Sequence, residues 1–139
     1  MSDPLGSGSG RTSGDLPRPR LEVGIDCLDP IALAPFWLRA LGYPRASGLG
    51  DPYLDLVPPP GGVPVFLQRV QEAKAVKNRV HLDLFTADPE QLVGELLGAG
   101  ATLVGAPFGG DPWEWQVMAD PEGNEFCVCR EKPFLSTER

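Results

Sequence analysis

Residues 77–89 read Lys77-Asn78-Arg79-Val80-His81-Leu82-Asp83-Leu84-Phe85-Thr86-Ala87-Asp88-Pro89 and contain the chain's one histidine. His81, Asp83 and Phe85 alternate with Leu82 and Leu84, the period of two that marks a half-buried strand. Asp88-Pro89 then supplies a helix N-cap followed by proline at the first helical position, where its missing N–H is not needed. Gln91 adds a capping-box-like spacing. Leu92, Val93, Leu96 and Leu97 give the helix its apolar stripe, and Gly98 and Gly100 are its predicted stop. A strand thus runs directly into a helix.

The same order occurs earlier. Residues 21–27 (LEVGIDC) place Leu21, Val23, Ile25 and Cys27 on one face and Glu22, Gly24 and Asp26 on the other. Asp29-Pro30 is again a cap with proline, and Leu33, Phe36, Trp37 and Leu41 recur at helical spacing up to Gly42. Trp37 belongs to the core on this pattern. Pro35 lies far enough past the cap to remove a helix hydrogen bond, which predicts a later start or a kink. Glu22 falls on His81, Asp29-Pro30 on Asp88-Pro89 and Leu33 on Leu92, at one constant offset. After the first helix come a loop or short strand over residues 43–50 and strands over 53–57 and 63–70, the last two parted by prolines and glycines. After the second come strands over 101–105, 113–118 and 124–129. Asp120-Pro121-Glu122-Gly123 suits a type I turn before the last of these.

Each half therefore reads strand, helix and about three strands, with too little apolar surface to stand comfortably alone. The fold class expected is α+β: two βαβββ modules, about residues 21–72 and 78–130, forming one curved mixed β-sheet with helices on its outer face. Residues 1–20 read as a disordered N-terminal tail, rich in Gly, Ser, Pro and charge with nothing to bury. Residues 131–139 read as a charged C-terminal tail.

At 139 residues the chain is one domain, or two modules sharing one core. Its formal charge of −7 argues against a nucleic-acid or anionic-membrane surface. No apolar run has the length of a membrane span, and no basic-then-apolar leader opens the chain. Three cysteines, an odd number, suit reduced thiols. The expected setting is cytoplasmic. No phosphate loop, dinucleotide fingerprint or nucleophile elbow occurs.

The repeat, the phrase KNRVHLDL and the phrase DPEGNEFCV (residues 120–128) resemble the vicinal-oxygen-chelate superfamily, and more narrowly bacterial glyoxalase-like domains. The resemblance spans about residues 21–130. It implies four side chains from the first and last strand of each module, facing a concave sheet and holding a divalent metal. Carried over by position, these are Glu22, Gln68, His81 and Glu125. One imidazole, two carboxylates and an amide oxygen would suit Zn²⁺, Ni²⁺, Mn²⁺, Fe²⁺ or Co²⁺ with positions left for substrate. On a glyoxalase I-like reading Glu125 or Glu22 would act as base. The resemblance also implies a homodimer, since such modules leave open sheet edges.

Strand parity supports part of this without the resemblance. Glu125, Cys127 and Cys129 share one face of their strand while Phe126 and Val128 take the other, so His81 and Glu125 are expected in one cavity. Asp26, Tyr53, Phe66, Asp83, Trp113, Trp115 and Cys127 are the expected pocket walls. Three functions stay open on the sequence: a metal-dependent lyase, isomerase or dioxygenase; a metal-free protein that binds or sequesters a small molecule such as an antibiotic; and an interaction domain with a vestigial pocket.

Overall fold

The computed structural model describes residues 17–132. Both tails expected from the sequence fall largely outside that range. The elements, in chain order, are β1 (Val23–Cys27), α1 (Pro30–Leu41), β2 (Arg45–Ser47), β3 (Tyr53–Val57), β4 (Val65–Arg69), β5 (Leu82–Thr86), α2 (Pro89–Gly98), β6 (Thr102–Leu103), β7 (Trp115–Ala119) and β8 (Glu125–Arg130). This is βαβββ twice. No helix among the described residues is long and apolar enough to cross a membrane.

Each module builds its own four-stranded mixed sheet, in the order β1-β4-β3-β2 and β5-β8-β7-β6. In both, the first strand lies parallel to the last, and the other pairs are antiparallel. The single curved sheet expected from the repeat is therefore two hydrogen-bonded sheets. Their edge strands β1 and β5 do not pair, and a cavity of about 560 Å³ is lined by Val23 to Cys27 of one and by Val80 to Leu82 at the start of the other.

Local chemistry sets both helix starts. The Asp29 carboxylate accepts from the Ala32 N–H at 3.1 Å, and that of Asp88 accepts from the Gln91 N–H at 3.1 Å. The Gln91 side chain reaches Glu95 rather than back to the cap, so the capping box is half made. Pro35 neither delays α1 nor ends it. It sits on the solvent side, where the carbonyl it leaves unpaired can be hydrated. Gly42 closes α1 in the left-handed region, φ 71°, which a residue with a Cβ rarely adopts. In α2 only Leu96 of the expected stripe is fully buried, Leu92 and Val93 are half-buried, and Leu97 faces outward.

The two modules share one core. α1 covers β3 and β4, α2 covers β8 and β5, and the helices touch each other. Trp37 and Phe36 of α1 meet Phe126 of β8 edge-on, with ring centroids 5.1 Å and 5.8 Å apart. Such pairs add about 0.5–1.5 kcal/mol beyond the area they bury. Polar bonds cross the same seam. The indole N–H of Trp37 donates to the buried Asp120 carboxylate at 2.9 Å. Asp120 also accepts from the N–H groups of Glu122 and Asn124, which holds the turn before β8. That turn is the expected one, with the Gly123 N–H donating to the Asp120 carbonyl at 2.8 Å. Glu122 reaches back to accept from the Leu28 and Asp29 N–H groups ahead of α1.

Candidate functional site

His81 precedes β5 and Glu125 opens β8. The parallel register beginning at Leu82 opposite Phe126 makes the two neighbours across the strands. Both line the cavity between the modules. Both also line a second cavity of about 510 Å³ on the face of the second sheet away from α2. Phe126 and Val128 point the other way into the core, so the alternation of β8 places Glu125, Cys127 and Cys129 toward this second cavity.

Its floor is polar and its far wall aromatic. The His81 ring nitrogen Nδ1 lies 2.7 Å from Asp83 Oδ1. Asp83 stands opposite Cys127 in the β5–β8 ladder. Burial pushes the Cys127 thiol up to about 12, with the Asp83 carboxylate adding to the shift. Burial likewise raises Cys129 to about 11, again with a contribution from Asp83. The wall is formed by Trp115 of β7 and Phe108, stacked at 5.0 Å between centroids with planes 15° apart. The Phe108 backbone is bridged to Trp115, which fixes the pair. Lys77 donates to the Glu125 carboxylate at 2.5 Å and holds that carboxyl below the usual carboxylate range.

The other sequence-derived candidates lie elsewhere. Glu22 is bonded to the Arg20 guanidinium and lines neither cavity. Gln68 sits at the far end of β4, opposite Asp26 and Tyr53, and also lines neither. In the first module the register that begins with Val23 opposite Val65 makes Pro64, rather than Gln68, the counterpart of Glu125. Of the four residues implied by the family resemblance, His81 and Glu125 line both cavities, while Glu22 and Gln68 line neither.

Asp26 lines the inter-module cavity. Tyr53 and Phe66 pack on each other with centroids 6.0 Å apart, on the first sheet and outside both cavities. Trp113 lies beneath the Arg130 guanidinium at 5.4 Å and lines neither cavity, whereas Trp115 does. Phe108 and Lys77 are among the contributors that escaped the sequence reading. Phe108 lies in a Gly/Pro loop without periodicity, and only its bridge to Trp115 brings it to the wall. Lys77 reads as part of a polar connector, and nothing local marks it as the partner of a residue on β8.

A family model described as a glyoxalase-like domain matches residues 22–129, and the chain belongs to that family. No curated protein matches the chain. Several solved structures share its fold. A glyoxalase/bleomycin resistance protein/dioxygenase family enzyme from Burkholderia phytofirmans PsJN is 22% identical, with 78% of this chain and 95% of that one covered at a TM-score of 0.58. The fosfomycin resistance protein FosX from Mesorhizobium loti is 11% identical, with 89% and 100% covered at 0.66. The trypanothione-dependent glyoxalase I of Leishmania major is 15% identical, with 88% and 93% covered at 0.63. At these identities the likeness is one of fold.

Proposed function

We propose that this protein binds a small, flat organic molecule on the open face of its second module. The observation that carries the reading is the stacked Phe108–Trp115 wall standing across a cavity of about 510 Å³ from His81, Asp83 and Glu125. That volume suits a small-molecule ligand, and an aromatic wall with a few convergent polar groups is how such sites gain both affinity and orientation. The rim charges are largely matched within the protein. Lys77 pairs with Glu125, Lys132 with Glu114 and Arg130 with Glu90. A planar ligand with one or two hydrogen-bonding groups therefore fits better than a strongly charged one.

Of the readings open on the sequence, this is nearest the metal-free binding or sequestering one, but the stacking wall that carries it requires neither the presence nor the absence of a metal. The metal centre implied by the glyoxalase resemblance draws support only from His81 and Glu125 of its four residues. As a general base Glu125 is weakened, because its ion pair with Lys77 stabilises the carboxylate and lowers its proton affinity. The test is an NMR screen of planar heteroaromatic compounds against the full chain. Hits are expected to shift the Trp115 indole and His81 resonances. Trp115→Ala should weaken them about tenfold, the equivalent of one lost stacking contact of about 1.4 kcal/mol. Hits that map to Tyr53 and Phe66 on the first module, or that bind Trp115→Ala unchanged, would refute the proposal.

A further inference from the structure

The repeat sets two pairs of residues at matching points of the two sheets, and the pairs differ in kind. In the first module Gly24 stands opposite Phe66, and in the second Asp83 stands opposite Cys127. The Phe66 ring closes over Gly24 so tightly that a Cβ there would lie 2.5 Å from the ring's Cζ. The first module thereby fills this space with an aromatic ring. The second leaves it open to the cavity and furnishes it with a carboxylate and a thiol, beside the imidazole of His81. One ligand atom from each of these three side chains lies within 4.8 Å of the other two.

We propose that His81, Asp83 and Cys127 form a three-ligand site for a thiophilic divalent cation, Zn²⁺ in particular, whose fourth position opens into the ligand cavity. An imidazole nitrogen, a carboxylate oxygen and a thiolate sulfur are a donor set suited to Zn²⁺, and three protein ligands with one open position define its reactive rather than its structural sites. The strand framework orders the ligands in advance. His81 and Asp83 are two residues apart on one side of a chain, and Cys127 is the cross-strand partner of Asp83. Binding exchanges the thiol proton for the metal: the Cys127 S–H bond breaks, a metal–sulfur bond forms, and the proton leaves to solvent. The thiolate and the Asp83 carboxylate then balance the 2+ charge, so the half-buried site becomes neutral. Glu125 is not a ligand in this arrangement and stays with Lys77.

The site needs no organic ligand, so the metal alone is the probe. Co²⁺ is titrated into the full, untagged chain under reducing conditions and followed by absorption. A thiolate-to-cobalt charge-transfer band is expected to saturate at one Co²⁺ per chain and to vanish when Zn²⁺ is added. Cys127→Ser should abolish the band, and His81→Ala and Asp83→Asn should each weaken Co²⁺ binding at least tenfold. Cys129→Ala and Glu125→Gln should leave it in place. Far-UV circular dichroism identifies any variant that fails to fold, and Cys127→Ala then replaces Cys127→Ser. No charge-transfer band in the parent chain, its survival without Cys127, or its loss in Glu125→Gln would overturn the proposal. Failure here would leave the NMR screen of aromatic ligands untouched, and failure of that screen would leave the cobalt band untouched.

Discussion

Trp37→Phe should be among the most damaging conservative substitutions in the chain, because it cuts the bond that ties the first module's helix to the second module's turn. Trp37 is 1% exposed and its indole N–H donates to Asp120, itself 3% exposed. Phenylalanine keeps the aromatic packing against Phe36 and Phe126 but has no donor. A hydrogen bond to a charged acceptor is worth about 1.5–3 kcal/mol, and the smaller ring adds about 1 kcal/mol for the space it leaves. The expected loss is therefore about 3 kcal/mol, out of the 5–15 kcal/mol typical of a whole domain. At about 4 °C per kcal/mol for a domain of this size, the melting temperature should fall by about 12 °C. Urea unfolding followed by far-UV circular dichroism measures it, and Trp37→Phe, Asp120→Asn and the double variant complete a thermodynamic cycle. A coupling of at least about 1 kcal/mol is expected, with one cooperative transition in every variant. A loss below about 1 kcal/mol, or two transitions from modules that melt separately, would refute the reasoning.

Other outcomes follow from the same structure. Burial raises the Cys27, Cys127 and Cys129 thiols to about 11, 12 and 11. The native state therefore holds thiol protons that the unfolded chain releases near pH 9. Their contribution to stability is complete below that pH and is lost as the pH rises toward 11–12; a urea midpoint unchanged between pH 8 and pH 11 would contradict this. Alkylation by iodoacetamide at pH 7.5 should be far slower in the folded than in the unfolded chain, as mass spectrometry can show. Lys77→Ala should return the Glu125 carboxyl toward its ordinary range, visible in an NMR titration, and should change stability by less than about 1 kcal/mol because the lysine is exposed. Glu122→Gln weakens the acceptor shared by the Leu28 and Asp29 N–H groups and should cost about 1 kcal/mol in thermal unfolding. The open edges of both sheets support a homodimer, which a monomeric mass by light scattering at high protein concentration would reject.

The sequence by itself determined what depends on neighbours along the chain. Asp29-Pro30 and Asp88-Pro89 start helices because a cap and its N–H partner are three residues apart. The alternation of His81, Asp83 and Phe85 with leucines, and of Glu125, Cys127 and Cys129 with Phe126 and Val128, assigns faces because a strand has a period of two. Repetition of these local signals made the two βαβββ modules legible, and parity put His81 and Glu125 each on the polar face of its own chain segment, while the β5–β8 register made them neighbours. Tertiary structure decided everything that rests on register between strands far apart in sequence. The pairing of β1 with β4 across an intervening helix and two strands puts Pro64 where Glu125 has its counterpart, and leaves Gln68 at the other end. It also lays the Phe66 ring over Gly24, so that one module is filled and the other open. The Trp37–Asp120 bond and the Lys77–Glu125 pair span 83 and 48 residues. No periodicity reports on such distances: Trp37 and Asp120 meet only when the two modules close on one core, and Lys77 and Glu125 only when β5 pairs with β8.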